Sequence, residues 1–329
     1  MSKGLVTVFG GSGFLGRYAT RALVKEGWRV RIACRRPNLA GDARLAGAPG
    51  WVDIMQVNVG NVPSIERALE GADAAVNLVG ILHERGNQKF AKVQRDGAAN
   101  IAQAAAKLGV PRLVHVSAIG ADAQSDARYA RTKGEGEALV REAMPSAVIL
   151  RPSAVFGPED TFFNRFAGLA RSAPILPAIG GGKTRLQPLY AGDMANAIAA
   201  AVEQVEASGQ AYELGGPRTY SMNEIFDFIT KTIDRPRLKM PLPMLIAQPL
   251  GYLLGGLWHY VPPFSWGFVG EPPLTGNQVQ MLRADNVVSE GTLGMSDLGL
   301  TELESVESIV PSYLWRFRPY GEFQQRREA

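Results

Sequence analysis

The sequence predicts an α/β fold, with a doubly wound parallel sheet and a smaller C-terminal region. Short apolar, β-branched runs alternate with helical patterns over the first half of the chain, which is typical of βαβ units with helices on both faces of the sheet. Beyond residue 150 this alternation loosens and prolines become frequent. We therefore expect residues 1–150 to form the sheet domain, and residues 151–329 to hold the last sheet strands and a smaller cap or docking region.

The first element is a strand that ends in a glycine-rich turn. An apolar run over residues 5–9 leads into glycines at 10, 13 and 16, and helical spacing of apolar residues begins at Leu15. Glycine suits a tight turn, a close approach to a pyrophosphate and close helix–strand packing. The helix that follows offers N–H groups and its positive end to phosphates. We therefore predict a Rossmann-type nucleotide-binding domain, with cofactor contacts from Gly10, Ser12, Gly13, Phe14, Leu15 and Gly16.

The same alternation predicts the remaining elements of this domain. We expect further strands over residues 29–34, 52–59, 74–79, 113–117 and 148–150. We expect helices over residues 65–69 and 93–108, the second of which is long and rich in alanine. No internal repeat or low-complexity linker interrupts this pattern.

Composition narrows the class of protein. The chain has 329 residues, of which 46% are hydrophobic and 20% charged, as in ordinary soluble globular proteins. A formal net charge of +4, scattered along the chain, argues against nucleic acid as a partner. The three histidines lack metal-site spacing, so no metal is expected. A single cysteine, Cys34, excludes an internal disulfide and suits a reducing compartment.

The end of the second strand bears on cofactor choice. Arg35 and Arg36 follow Cys34, and no Asp or Glu occurs between Glu26 and Asp42. An acidic residue near this point holds the ribose 2′-hydroxyl of NAD, whereas an arginine accommodates the 2′-phosphate of NADP. We therefore predict NADP(H) rather than NAD(H), bound through these two arginines. The alternative is a solvated arginine pair in a loop.

Three residues form a candidate catalytic set. Ser117 ends a predicted strand, and Tyr129 and Lys133 share one helical face at positions i and i+4. Because a nearby ammonium stabilises tyrosinate, we expect the pKa of Tyr129 to lie below its reference value of ~10. Such a tyrosine can pass a proton to or from a substrate oxygen, held by the serine, while hydride moves to or from nicotinamide. We expect His115, within an apolar strand, to be a hydrogen-bonded core residue.

Together these motifs resemble those of extended or atypical short-chain dehydrogenases/reductases. The segment Asn-Leu-Val-Gly at residues 77–80 resembles the Asn-x-x-Gly segment that lines the cofactor in that superfamily. Further segments, spread over nearly the whole chain, resemble the NADPH-binding accessory subunits of respiratory complex I, the NADH:quinone oxidoreductase. These segments lie at residues 151–160, 187–190, 212–217, 274–279 and 285–289.

The resemblance implies a tightly bound NADPH and a structural task on the peripheral arm near the quinone site, outside the electron path. The partners implied are the other subunits of that complex. Ser117, Tyr129 and Lys133 would then be vestigial or would hold the nicotinamide ribose. The resemblance adds cofactor contacts from Asn58, Val59, Leu78, Gly80, Pro152 and Val155. Many relatives carry an aspartate in the loop of Asn58 and Val59.

Residues 240–270 contain no Asp, Glu, Lys or Arg. Five prolines interrupt this stretch, so a helix that spans a membrane is not expected. Over residues 250–261 we predict a helix with an apolar face. The helix either lies in the core of the cap, forms a lid, or docks on a partner or the membrane interface, which the resemblance favours. The predicted face comprises Leu250, Leu253, Leu254, Leu257, Trp258 and Val261.

The C-terminal tail alternates aromatic side chains with arginines. Such residues are enriched at protein interfaces and at the lipid headgroup level, so we expect the tail to contact a partner or the membrane interface. Alternatively, the tail folds back over its own sheet. The residues concerned are Tyr313, Trp315, Arg316, Phe317, Arg318, Tyr320 and Phe323.

Two functions remain open at this point. The first is an accessory subunit of complex I. The second is a freestanding NADP-dependent reductase or sugar-nucleotide epimerase that uses Tyr129 as its acid/base. Because the first strand begins by residue 5, no targeting peptide is expected. The expected location is the cytoplasmic side of a bacterial inner membrane, as a peripheral protein, or the mitochondrial matrix side if the chain is processed.

Overall fold

The computed structural model describes residues 2–257 and 275–321. Its strands are β1 (Leu5–Phe9), β2 (Arg29–Cys34), β3 (Val52–Gln56), β4 (Ala74–Asn77), β5 (Leu113–Val116), β6 (Val148–Pro152), β7 (Val155–Phe156), β8 (Ile175–Ile179), β9 (Arg185–Leu186), β10 (Leu189–Tyr190), β11 (Ala211–Leu214), β12 (Tyr220–Ser221) and β13 (Leu238–Leu242). Its helices are α1 (Phe14–Lys25), α2 (Val62–Leu69), α3 (Gly97–Lys107), α4 (Arg128–Ala143), α5 (Phe163–Ser172), α6 (Ala191–Glu203), α7 (Met222–Thr232), α8 (Met244–Leu257), α9 (Gly276–Met281), α10 (Val306–Ile309) and α11 (Pro311–Leu314).

The chain divides into two compact units. The first contains residues 1–153, 189–215 and 288–303, and the second contains residues 154–188, 216–287 and 304–329. The predicted sheet domain, residues 1–150, therefore lies wholly within the first unit. The division into a sheet domain at residues 1–150 and a cap or docking region at residues 151–329 stays a prediction.

The first unit is built on a parallel sheet. Over the described residues this sheet has seven strands in the order β11-β6-β5-β4-β1-β2-β3, and every neighbouring pair is parallel. This is the doubly wound, Rossmann-type order, which confirms the predicted fold class. The helices α1 and α6 pack together, and α2, α3 and α4 pack in succession. Fully buried side chains fill the core, among them Phe9, Ile65, Ile101, Leu113 and Ile149.

Three predicted strands are shorter in the structure. β3, β4 and β5 end at Gln56, Asn77 and Val116, where the sequence predicted strand to residues 59, 79 and 117. The apolar pattern continues past β3 and β4 because Val57 is buried and Val59, Leu78 and Val79 are half-buried in the loops that follow. The loops after β3, β4 and β5 carry five of the candidate site residues, namely Asn58, Val59, Leu78, Gly80 and Ser117.

The long alanine-rich helix begins with a π-helical turn. Residues Ala91–Asp96 are π-helical and continue into α3. This turn lies close against α4, because a Cβ atom on Gly136 would lie 2.5 Å from the main-chain oxygen of Gln94. π-Turns inside helices occur frequently at functional sites.

In the second unit, β8 pairs with β13 in parallel and β9 pairs with β12 in antiparallel. The helix predicted over residues 250–261 begins earlier, at Met244, and contains Pro249. The prediction was wrong at this end because it took Pro249 as a helix break, whereas the packed helix continues through this proline. Ala247 is fully buried with Ile179 and Val279. The side chains of Leu257, Trp258 and Val261 lie outside the described residues.

Residues of the C-terminal tail pack on the second unit itself. Tyr313 is buried and its hydroxyl donates a hydrogen bond to Oδ2 of Asp160 at 2.6 Å. Arg318 Nε donates to the main-chain oxygen of Thr232 at 3.0 Å. Tyr313 is thus buried within the second unit, whereas Tyr320 is 78% exposed, and a contact of the tail with a partner or the membrane interface stays a prediction. Phe323 lies outside the described residues.

Candidate functional site

The glycine turn has the geometry that the sequence predicts. Gly10 has a φ of +80°, and the Gly13 N–H donates to the Gly10 oxygen at 3.0 Å. A Cβ atom on Gly16 would lie 2.4 Å from that same oxygen, so the first turn of α1 packs directly on the glycine turn. Gly13 is the N-cap of α1 and supplies no side-chain cap. The first N–H groups of this helix are therefore suited to bind a phosphate.

The arginine pair lies at the end of β2, next to the central strand that leads into the glycine turn. Arg35 and Arg36 are both exposed, and neither guanidinium makes a hydrogen bond or ion pair with the described residues. Two guanidinium groups free of carboxylates can both turn towards an added phosphate.

The loop after β3 is held by its own hydrogen bonds. Asn58 Oδ1 accepts from the Gly60 N–H at 3.0 Å, and the Val59 oxygen accepts from Asn100 Nδ2 at 2.9 Å. The Asn58 side chain thus shapes the loop. A contact of Asn58 or Val59 with adenine stays a prediction.

A buried Asn–His pair organises the loop after β4. Asn77 Oδ1 accepts from the Val79 N–H at 3.0 Å, and Asn77 Nδ2 donates to His115 Nδ1, also at 3.0 Å. A Cβ atom on Gly10 would lie 3.3 Å from the carbonyl carbon of Leu78 and from the Val79 nitrogen. The glycine turn therefore packs against a loop whose position is set by Asn77. The sequence prediction did not include Asn77 or His115 among the site residues, because their pairing depends on strand register.

The His115 imidazole is neutral. Burial, together with the positive charge of Lys133, lowers its pKa to about 3. Since Nδ1 accepts from Asn77, the ring proton lies on Nε2, which is buried and has no hydrogen-bond partner in the described residues. The expectation of a hydrogen-bonded core histidine therefore holds for one ring nitrogen only.

The structure brings Lys133 to the ends of β4 and β5. Its buried Nζ donates to the main-chain oxygen of Val116 at 3.0 Å, and a Cβ atom on Gly80 would lie 3.6 Å from it. Ser117 follows directly, and its Oγ is buried with no hydrogen-bond partner among the described residues. The edge of the Tyr129 ring meets Phe90, with ring centroids 5.9 Å apart.

The expected pKa shift of Tyr129 is wrong. Burial raises its pKa to about 12, instead of a nearby ammonium lowering it. The Lys133 ammonium points at the Val116 oxygen, and burial lowers the pKa of Lys133 to about 8. The phenol is therefore protonated at neutral pH and can donate, but not accept, a proton.

The arrangement fits a dinucleotide. The uncapped start of α1 suits the pyrophosphate, the close approach at Gly16 requires glycine, and the unpartnered Ser117 Oγ suits a polar ligand atom. Two other residues were predicted to contact the cofactor. Pro152 is the last residue of β6, in the first unit, and Val155 is the first residue of β7, in the second unit. Their roles stay predictions. Over the residues that the structure describes, no three His, Cys, Asp or Glu side chains come together as a metal site.

Comparison with known proteins agrees with the geometry. The model of the NAD dependent epimerase/dehydratase family matches residues 6–215. NADH dehydrogenase (ubiquinone) 1 alpha subcomplex subunit 9, mitochondrial, of Rattus norvegicus is 32% identical over 310 residues, which cover 93% of this chain and 79% of that protein. The protein of the same name in Arabidopsis thaliana is 32% identical over 96% of this chain and 79% of its own length.

An enzyme and a solved structure are also similar. A ceramide reductase of Caulobacter vibrioides is 35% identical over 182 residues, covering 54% of this chain and 55% of that protein. The crystal structure of UDP-glucuronic acid 4-epimerase from Bacillus cereus, in complex with UDP-glucuronic acid and NAD, has a TM-score of 0.64 and 18% identity, covering 94% of this chain and 98% of that one. The chain thus belongs to the NAD dependent epimerase/dehydratase family, among relatives that include subunit 9 of the NADH dehydrogenase 1 alpha subcomplex.

Proposed function

We propose that this chain is an accessory subunit of an NADH:quinone oxidoreductase, respiratory complex I, in which it holds NADPH as a structural cofactor. The observation that carries this proposal is its similarity, along nearly the whole chain, to proteins named as subunits of that complex. The similarity covers residues of both units. It therefore includes the second unit, which a nucleotide-binding domain alone does not require.

The preference for NADPH is supported by the chemistry at the end of β2. The cations Arg35 and Arg36 have no carboxylate partner in the described residues, and no acidic side chain is available between Glu26 and Asp42 for a ribose 2′-hydroxyl. The glycine turn would hold the pyrophosphate, and Tyr129 and Lys133 would hold the nicotinamide ribose. A ligand present at 1,000 times its dissociation constant stabilises the native state by about 4 kcal/mol without reacting.

The protonation of Tyr129 disfavours turnover in the direction that needs a base. With its pKa raised to about 12, Tyr129 stays protonated through the physiological range. The Lys133 ammonium is engaged with a main-chain oxygen and does not bias the phenol towards tyrosinate. A bound nicotinamide would supply or accept a hydride. Oxidation of a hydroxyl group needs a base to accept its proton, and a protonated Tyr129 serves poorly as that base.

The second unit supplies a candidate docking surface. Apolar side chains on β13 and α8 are exposed, and exposed apolar patches mark sites of protein or membrane contact. We place this surface against other subunits or the membrane interface, at the cytoplasmic face of a bacterial inner membrane or the matrix face of a mitochondrial one. No helix in residues 2–257 or 275–321 is both long and apolar enough to span a bilayer. The exposed side chains are Leu238, Leu245, Ile246, Tyr252 and Leu253.

A freestanding NADP-dependent reductase is the second candidate. It is favoured by the presence of Ser117, Tyr129 and Lys133 together, and by the similarity of about half of the chain to a ceramide reductase. In that case Tyr129 would be the acid that protonates a carbonyl oxygen.

One detergent-extraction experiment distinguishes the two candidate functions. Membranes are solubilised in mild detergent, run on a native gel, and the band that contains this chain is identified by mass spectrometry. We expect comigration with NADH:quinone oxidoreductase subunits, and extraction of the purified band should release NADPH in a 1:1 ratio to the chain. A soluble monomer or dimer that oxidises NADPH with a carbonyl substrate would overturn the proposal.

A further inference from the structure

A positively charged groove of about 360 Å³ lies in the first unit, outside the dinucleotide site described above. The π-helix and the loop before it form one wall, and α4 forms the other. Four cations and two carboxylates line it, which gives a net charge of +2. The charged residues are Glu84, Lys89, Arg95, Arg128, Arg131 and Glu135.

Both carboxylates in the groove are already engaged. Glu84 Oε1 accepts from the Phe90 N–H at 2.9 Å, and its Oε2 pairs with Arg128 at 3.0 Å. Glu135 pairs with Arg95 at 3.6 Å, and Arg95 also pairs with Asp96 at 2.7 Å. These contacts join the two walls of the groove and leave no acidic side chain to neutralise its other cations.

Two cations remain uncompensated. Arg131 donates to the main-chain oxygen of Ser125 at 2.8 Å and has no carboxylate partner in the described residues. The Lys89 side chain is exposed and makes no hydrogen bond or ion pair within that part of the chain. An anion is therefore the ligand that the charges of this groove favour.

Two arginines of the groove lie where their positive charge destabilises the ligand-free protein. Arg128 and Arg131 lie in the first turn of α4, which contains no acidic residue and no side-chain cap. The helix dipole makes this end positive, so it favours anions and disfavours cations. An anion bound between the two walls would relieve this repulsion.

We propose that this groove binds the phosphate group of a soluble phosphate ester. A phosphate monoester carries a charge of about −1.5 to −2 at pH 7, which complements the two uncompensated cations, Lys89 and Arg131. Arginine side chains bind phosphate oxygens in a bidentate manner. The volume of about 360 Å³ suits a small molecule. The proposal goes beyond the proposed function and does not depend on it.

The groove borders the candidate catalytic tyrosine. Arg128 precedes Tyr129 on α4, and Phe90, which follows Lys89, packs against the Tyr129 ring. A ligand in the groove would therefore contact residues next to both members of this aromatic pair.

The test is a titration of the full chain, first saturated with NADPH so that the dinucleotide site is filled. Glycerol 3-phosphate is added at low ionic strength and its binding is followed by calorimetry. We expect one saturable site. Lys89→Gln should weaken binding about fivefold, as expected for the loss of one exposed ion pair. Lys92→Gln is the matched control, because Lys92 is an exposed lysine three residues further along, on the π-helix, and does not line the groove.

Several results would overturn the proposal. One is the absence of saturable binding. Another is equal weakening by Lys89→Gln and Lys92→Gln, which would indicate diffuse surface charge, and a third is competition between glycerol 3-phosphate and NADPH. A separate experiment uses vesicles that contain phosphatidic acid, in which the phosphate belongs to a lipid headgroup. If these vesicles bind in a Lys89-dependent manner and the soluble ester does not bind, the phosphate comes from a lipid headgroup and the proposal of a soluble ligand is wrong.

Discussion

The ammonium of Lys133 donates a hydrogen bond to the main-chain oxygen of Val116 at 3.0 Å, from a position where the lysine is only 5% exposed. This contact ties α4 to the end of β5, directly before Ser117. Burial lowers the pKa of Lys133 to about 8, while the negative charge of Glu137, one turn along α4, raises it in part. At neutral pH the protein therefore buries a charged lysine at a cost to its own folding.

The first prediction concerns Lys133→Met and the pH dependence of stability. The pKa of this lysine falls from 10.5 in the unfolded chain to about 8 in the folded one. Between these values the unfolded chain binds more protons, so the free energy of unfolding rises with pH across this window, by about 3 kcal/mol in total. Lys133→Met should remove the rise and should make the nucleotide-free protein about 1–3 kcal/mol more stable at pH 7.

Urea unfolding of the nucleotide-free protein at intervals from pH 7 to pH 10.5 measures this effect. Lys25→Met, at an exposed position on α1, controls for the loss of one positive charge. If Lys133→Met and the wild type show the same pH profile, the lysine is not buried in its charged form.

The second prediction concerns Gly16→Ala. The added methyl would lie 2.4 Å from the Gly10 oxygen and 2.5 Å from the Gly11 Cα, so the glycine turn would have to shift. We expect a loss of about 1–3 kcal/mol in the free energy of unfolding. NADPH affinity should fall at least about tenfold, because the first N–H groups of α1 would move.

A fluorescence titration with NADPH and a denaturant titration measure the two effects. Gly41→Ala is the matched control, since a Cβ atom there meets nothing within 4 Å. Wild-type affinity in Gly16→Ala would show that the glycine turn does not contact the cofactor.

The sheet could be predicted from the sequence because its signals are local. The β1 strand, the glycine turn and the start of α1 occupy one short stretch, and the predicted bounds of β2 agree with the structure. The Asn77–His115 pair could not be predicted in the same way. It joins neighbouring strands, and its geometry depends on the register that places Asn77 opposite His115.

Other features depend on burial that arises only in the folded chain. Spacing places Tyr129 and Lys133 on one helix face, but burial decides their pKa values, and it reverses the expected shift of Tyr129. Likewise, Pro249 is accepted inside α8 because the helix is packed on Ile179 and Val279. Tyr313 and Asp160 are 153 residues apart in sequence, and no local pattern predicts their contact.

The third prediction concerns cofactor choice. If Arg35 binds the 2′-phosphate, Arg35→Asp should weaken NADPH binding at least about tenfold more than NADH binding, because it removes a charge-assisted contact and adds repulsion. Arg44→Asp, an exposed arginine in the loop after β2, makes the same change in net charge away from β2. Affinities for both dinucleotides are measured side by side, and equal losses for NADPH and NADH would contradict the role of Arg35.

The fourth prediction concerns the contact between the tail and the second unit. Burial raises the pKa of Asp160, and the Tyr313 hydroxyl opposes this by donating to its carboxylate. A raised pKa means that the folded chain binds the Asp160 proton more tightly than the unfolded chain. Stability from this group is therefore lost as pH rises above 3.8, the value in the unfolded chain.

Tyr313→Phe removes the hydrogen bond from the hydroxyl and so raises the pKa of Asp160 further. The stability lost at neutral pH, where Asp160 has to lose its proton, therefore increases. The carboxylate would keep its bonds from the main-chain N–H groups of Gly157 and Asn164, both at 3.2 Å, and from that of Phe163. We expect a destabilisation of about 1–3 kcal/mol at pH 7 and a smaller one at pH 4, measured by denaturant unfolding. Tyr320→Phe, at a residue that is 78% exposed, should change stability little at either pH. Because a simple packing defect has no pH dependence, equal losses at both pH values would show that the hydroxyl does not stabilise the Asp160 carboxylate.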